Sequence, residues 1–188
     1  MAEVLFISDV YVKKFTHVNG AVDSNLIYPA VYLAQDKYLA PYLGTNLYET
    51  LKDKIANNTL SGNYATLVDD YVRRVVLWHT MVELLPFLTY KLDNGTLVQR
   101  TSEDAQPVSD RVFKDMLERA ASNAQHYTGL MTDYICANSN LFPEYSNNVW
   151  PQRSPLLFKK AGGSIIFSSG NTATSRTNYG DIRLSQLP

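Results

Sequence analysis

His79 and Glu83 stand four residues apart, so on a helix they face the same way. Such a pair can share a metal ion. A metal site needs three or four ligands, however, and no Cys/His cluster supplies the rest. The other two histidines, His17 and His126, are isolated in sequence. A histidine at the border of a helix face, hydrogen-bonded locally, accounts for His79 without a metal. Cys136 is the one cysteine, which excludes an intrachain disulfide. Tyr134, Ile135 and Ala137 around it place it in the last turn of a helix, as a small core residue rather than a nucleophile. Gly162-Gly163-Ser164 follows Lys159-Lys160, but neither phosphate-binding glycine pattern, G-x-x-x-x-G-K-[ST] or G-x-G-x-x-G, is present. The G-x-S-x-G nucleophile turn is also missing. Asp69-Asp70 is explained by pairing with Arg73 and Arg74 one turn on, and Glu103-Asp104 sits in a polar loop. Nothing in this set demands catalysis, a cofactor or a metal, and the chain is not expected to be an enzyme.

The elements that carry these residues are helical. Ser8 can cap a short helix from Asp9 to Phe15 with Val10, Tyr11 and Phe15 near one face. Asn19-Gly20 marks a turn. Asp23 or Ser24 then caps a second helix, with Pro29 near its first turn and an apolar period through Leu26, Ile27, Ala30, Val31, Ala34, Tyr38 and Leu39. Pro41 and Gly44 close it. Thr45 or Asn46 caps a third helix to Ala56, with Leu47, Leu51 and Ile55 in one stripe. A long fourth helix runs from Tyr64 to Tyr90, and Pro86 should kink or divide it. Asp93-Asn94-Gly95 suits a hairpin between Leu92 and Thr96 to Val98. Ser109 caps a fifth helix, Asp110 to Asn138, whose expected core face includes Val112, Phe113, Met116, Leu117, Ala120, Tyr127, Leu130, Met131, Tyr134 and Ile135. Acid–base pairs at Asp110–Lys114, Arg111–Asp115 and Asp115–Arg119 should decorate the rest. The expected fold class is all-α, a bundle of about five helices over residues 1–145, with strand confined to a hairpin and the C-terminal arm.

Residues 146–188 are different. From Ala161 to Asp181, 13 of 21 residues are Gly, Ser, Thr or Asn, too little apolar surface to offset the entropy of ordering. Holding such an arm in place calls for another surface. Its apolar residues, Trp150, Leu156, Leu157, Phe158, Ile165, Ile166, Phe167 and Tyr179, are the candidate anchors, and Ser164–Phe167 could add to a sheet edge on another chain. The alternative is a loop packed on its own body. Charge divides in the same way: residues 1–138 carry 12 Lys/Arg against 16 Asp/Glu, and residues 139–188 carry 5 against 2. A basic arm suits docking on an acidic neighbour, and +3 over that length is far short of a nucleic-acid footprint. Thirteen tyrosines are an enrichment. Tyr28 with Tyr32, and Tyr38 with Tyr42, are one turn apart, and their large contact area with a polar tip suits a subunit interface. No secretory n-region is read at Met1-Ala2-Glu3, and no apolar run approaches the roughly 20 residues of a membrane span. A soluble protein made in a reducing cytosol is expected.

The stretch DSNLIYPAVYLAQDKYLAPYLGTNLYETL, Asp23 to Leu51, resembles the head–tail connector proteins of tailed bacteriophages. The likeness lies in the cap after a short first helix, the Leu-Ile pair, the Ala-Gln step and the terminal Tyr-Leu-Gly. The helix containing DDYVRRVVLWHTMVELLPF and the last helix fit that family's small bundle. The chain is similar to virion proteins of Bacteroides phages, crAss-like phages among them. The resemblance covers about residues 5–140 and leaves out the arm. It implies a ring, commonly a dodecamer, seated below the portal protein at the capsid vertex, extending the DNA channel and offering a platform to other connector or tail proteins. DNA would pass without specific binding, and the terminal arm would tie a copy to its neighbour or to the portal. The protein would be made in the bacterial cytoplasm and reside in the virion, with no membrane contact. The alternative reading is a cytosolic adaptor or assembly chaperone with a client-binding arm.

Overall fold

Ser8 takes an extended backbone and accepts a hydrogen bond from the Tyr11 N–H, which opens α1 (Asp9–Phe15). The computed structural model describes residues 3–93, 96–99 and 109–147. In α1 only Val12 is buried; Val10 and Phe15, expected on its apolar face, are 66% and 53% exposed. Asp23 caps α2 (Ser24–Ala34) by accepting from the Asn25 N–H. Pro29 falls in the second turn rather than the first, on the exposed side, where water can reach the carbonyl it leaves unpaired. The helix then widens into a π turn (Gln35–Leu39) and resumes as α3 (Ala40–Leu43). The widening accommodates Pro41. That residue has no N–H for the carbonyl four back, and the Ala40 N–H beside it reaches five back, to Gln35. Gly44, at φ 76° and ψ 162°, stops the run and is itself the cap of α4 (Thr45–Ala56), so Thr45 and Asn46 are helical residues rather than caps.

Asn58, at φ 53°, turns the chain. The expected fourth helix is one helical run in three parts: α5 (Gly62–Thr66), a second π turn (Leu67–Val72) and α6 (Arg73–Thr89). Pro86 lies near its end, one turn before the stop at Thr89, and does not divide it. β1 (Tyr90–Asp93) pairs antiparallel with β2 (Thr96–Gln99), with Tyr90 opposite Gln99 and Asp93 opposite Thr96. α7 (Asp110–Ala137) follows, then a 3-10 turn (Ser139–Leu141) and α8 (Pro143–Ser146). Ser109 occupies the cap position of α7, but its side chain makes no capping bond.

The fold is all-α apart from that hairpin, with α6 packed between α2 and α7. α6 and α7 run antiparallel: Tyr71 stacks on Tyr134, His79 meets Thr128, and Tyr90 stands edge-on to Phe113. Ile27, Leu39, Leu47, Leu51, Leu67, Leu84, Met131 and Phe142 are fully buried between them. α7 buries Ala120, Ala124, Thr128, Met131, Thr132 and Ile135, a narrower face than the apolar pattern suggests. Val112, Met116 and Leu130, expected in it, are exposed. Cys136 is exposed as well, not a core residue. One residue is a rotation of roughly 100° on a helix, so the buried Ile135 turns Cys136 away from the core. Of the expected helical ion pairs, Asp69–Arg73 forms at 2.6 Å. The other four do not close among the described residues, and Arg74 lies over the Tyr127 ring instead. Exposed pairs contribute too little to fix long side chains.

Candidate interaction surface

The best chemical pair in the sequence is committed to holding the fold together. The His79 ring stacks on Tyr38, with centroids 4.2 Å apart, and its Nε2 lies 3.2 Å from Thr128 Oγ1. Thr128 gives its only hydroxyl proton to the Ala124 carbonyl. The histidine must therefore be the donor, which fixes its proton on Nε2. Burial pulls His79 down to about 4, so the ring is neutral near pH 7. The Glu83 carboxylate accepts hydrogen bonds from Lys37 Nζ and the Tyr38 hydroxyl. Burial would raise Glu83, but these two donors outweigh it and hold the group below the usual carboxylate range. Burial and the Glu83 contact both raise Tyr38. Three elements, the first π turn, α6 and α7, are thereby joined by one polar brace. Among the described residues, no group of three or more His, Cys, Asp or Glu side chains is placed to hold a metal ion.

Gln35 is a functional side chain that sequence reasoning missed. It is fully buried, accepts from the Phe6 N–H and donates to the Val4 carbonyl. Arg73 Nε donates to the Phe6 carbonyl, and Lys52 pairs with Glu3 at 3.0 Å. Side chains of the π turn, α4 and α6 thus fasten the N-terminal segment, whose Phe6 and Ile7 enter the core. The available signal was a polar residue inside the apolar period of the expected second helix.

The four tyrosines expected at an interface divide. Tyr28 and Tyr32 are 43% and 48% exposed on α2. Tyr38 and Tyr42 are half-buried against the core, Tyr38 inside the brace. Beside the exposed pair runs an apolar groove of about 320 Å³, with Leu26, Pro29, Ala30 and Leu33 on the α2 side and Phe87 and Glu83 on the α6 side. Leu33 and Phe87 are 41% and 53% exposed. A second, polar groove of about 380 Å³ lies between α4 and α8, with Glu49, Asp53 and Glu144 on its walls. There Glu144 accepts from the Tyr64 hydroxyl, and burial together with that bond pushes Tyr64 up to about 12. The arm residues named above, Trp150, Leu156, Leu157, Phe158, Ile165, Ile166, Phe167 and Tyr179, lie outside the described residues.

A family described as "Family of unknown function (DUF6712)" matches residues 39–153, well over half of the chain. The chain belongs to this family. The match opens at Leu39, in the first π turn, and takes in α3 to α8, so the α2 face with Tyr28 and Tyr32 lies ahead of it. No curated protein and no solved structure matches the chain. Among the described residues, no helix is long and apolar enough to cross a membrane.

Proposed function

We propose that the protein is a structural ring subunit of a phage head–tail connector, docked under the portal, extending the DNA channel and presenting a platform to the tail. The observation that carries this reading is the exposed aromatic and apolar face of α2, with Tyr28, Tyr32 and Leu33 beside a groove closed by Phe87. On a body whose best chemical pair is a structural brace, that face is an apolar surface the described residues leave uncovered. Contiguous exposed apolar surface of this kind marks a protein contact. The mildly acidic body suits a channel through which DNA must slide, because strong phosphate binding would stall it. In the same reading the arm, with its clustered apolar residues, ties a copy to its neighbour or to the portal.

Electron microscopy of the native particle or of the purified connector tests the proposal. A closed ring at the vertex below the portal, with this chain as its subunit, is the expected result. A chain found only as a monomer bound to a client, and missing from mature particles, would sink the ring and favour the adaptor.

A further inference from the structure

Among the exposed apolar residues, those of α2 and those of α7 recur in a similar sequence pattern. On α2 and the π turn that continues it, Pro29, Leu33 and Asp36 stand at i, i+4 and i+7 in sequence, and all three are exposed. On α7, Val112, Met116 and Arg119 follow the same pattern and are likewise exposed. Such a triplet forms one stripe along a helix, roughly 10 Å long at 1.5 Å per residue. Each stripe is two apolar residues followed by one charge, an acid in the π turn after α2 and a base on α7. Among the described residues neither Asp36 nor Arg119 takes part in an ion pair.

The α7 stripe faces away from the polar brace. Helix geometry puts Val112 and Leu130 on the edge of α7 opposite to Thr128 and Thr132, and Thr128 is on the side of the Tyr38–His79 brace. The α2 stripe borders a groove, while the α7 stripe is a helix edge. The direction of the helices also fits. α2 runs against α6, since Leu26 lies by Phe87 and Tyr38 by His79. α7 runs against α6 too. α2 and α7 therefore point the same way, and a neighbour turned about an axis near their direction would bring them together in parallel.

We infer that copies of this chain meet head to tail, the Val112–Met116–Arg119 edge of one seated on the Pro29–Leu33–Asp36 face of the next, with Arg119 opposite Asp36. Two different surfaces in contact generate a ring or an open filament, whereas a self-complementary patch stops at a dimer. The matching order of two apolar residues and opposite charge select the occupant: a second copy satisfies both in one parallel register. The inference deepens the ring reading and rests on copies meeting side by side.

Full-length chains with Cys136→Ser, carrying Leu33→Cys, Met116→Cys or both, test the contact by disulfide formation under mild oxidation. The doubly substituted chain should give a ladder beyond the dimer. A mixture of the single variants should give mixed dimers in preference to like pairs, because a disulfide requires Cα atoms within about 7 Å. Asp36→Arg or Arg119→Asp alone should abolish the ladder, and the two together should restore it. Like pairs from Leu33→Cys alone, or no ladder at the highest concentration the chain tolerates, would overturn the contact. Closed rings in micrographs without the Leu33–Met116 link would remove this contact and leave the ring reading standing. A ladder from a chain that never appears at the vertex would support the contact and count against the connector.

Discussion

At the residue scale, the informative group is His79, because its neutrality is enforced by its surroundings. Its ring is covered by Tyr38, donates to Thr128, and has Glu83 and Lys37 as its charged neighbours. Burial outweighs the attraction of Glu83, and Lys37 opposes protonation further. An unfolded chain would take up a proton near pH 6.5, while the folded chain resists until about pH 4. The unfolded state therefore binds more protons across that window, and stability falls as pH drops through it. Discounted for partial exposure of the ring, the loss is about 1–2 kcal/mol. Glu83 adds its own loss in the same direction, but only below its ordinary value of 4.5. Urea unfolding at pH 7.5 and at pH 5 should thus show a weaker fold at pH 5, and His79→Phe should narrow the difference. A pH response unchanged in the variant would take the histidine out of the account.

At the element scale, the sequence shows its helices through period and caps, and hides what depends on packing. α7 reads almost to the residue, because Ser109 and Asn138 bracket a long run with one dominant phase. Its core face reads less well. Val112, Met116 and Leu130 share the apolar character of their neighbours, and only the position of α6 decides that Ala124 and Thr128 go in while they stay out. The π turns were not legible either. A one-residue widening changes the hydrogen-bond register without changing composition, and Pro41 is a hint only after the fact. Gly44 is the clearest case where backbone geometry chooses the residue. At φ 76° and ψ 162° it occupies a region open essentially to glycine alone, and it serves two helices at once. Gly44→Ala should cost about 1–3 kcal/mol. A methyl group added at Gly20 would meet nothing within 4 Å, and that residue has no such backbone angle, so Gly20→Ala should stay within about 0.5 kcal/mol of neutral. Thermal midpoints of the two variants make the comparison, and equal midpoints would remove the special role given to Gly44.

At the scale of the whole molecule, the question is where the self-sufficient body ends. Composition changes after about residue 145, and the described chain still packs into the core close to that point. Phe142 is fully buried and Tyr145 nearly so, both beyond the last long helix. Phe142 stands edge-on to Tyr64, Glu144 binds the Tyr64 hydroxyl, and the Asn147 carbonyl accepts from Asn46. The segment after α7 is thus a clasp that fastens α4 and the start of the α5–α6 run, a role that no residue pattern in the sequence announces. Pro143 was legible only as a break. A chain ending at Asn147 keeps every one of these contacts and should unfold cooperatively at nearly the midpoint of the full protein. A chain ending at Asn140 loses Phe142 and Tyr145 together. Each large aromatic removed from a core costs about 3–5 kcal/mol, and the two sum to much of the 5–15 kcal/mol that holds an ordinary domain. The shorter chain should therefore fail to fold, while the longer one should fold. Circular dichroism melts of the two truncations separate these effects: a stable fold at Asn140 would show the clasp to be dispensable, and a large loss at Asn147 would show that the arm belongs to the body's own core.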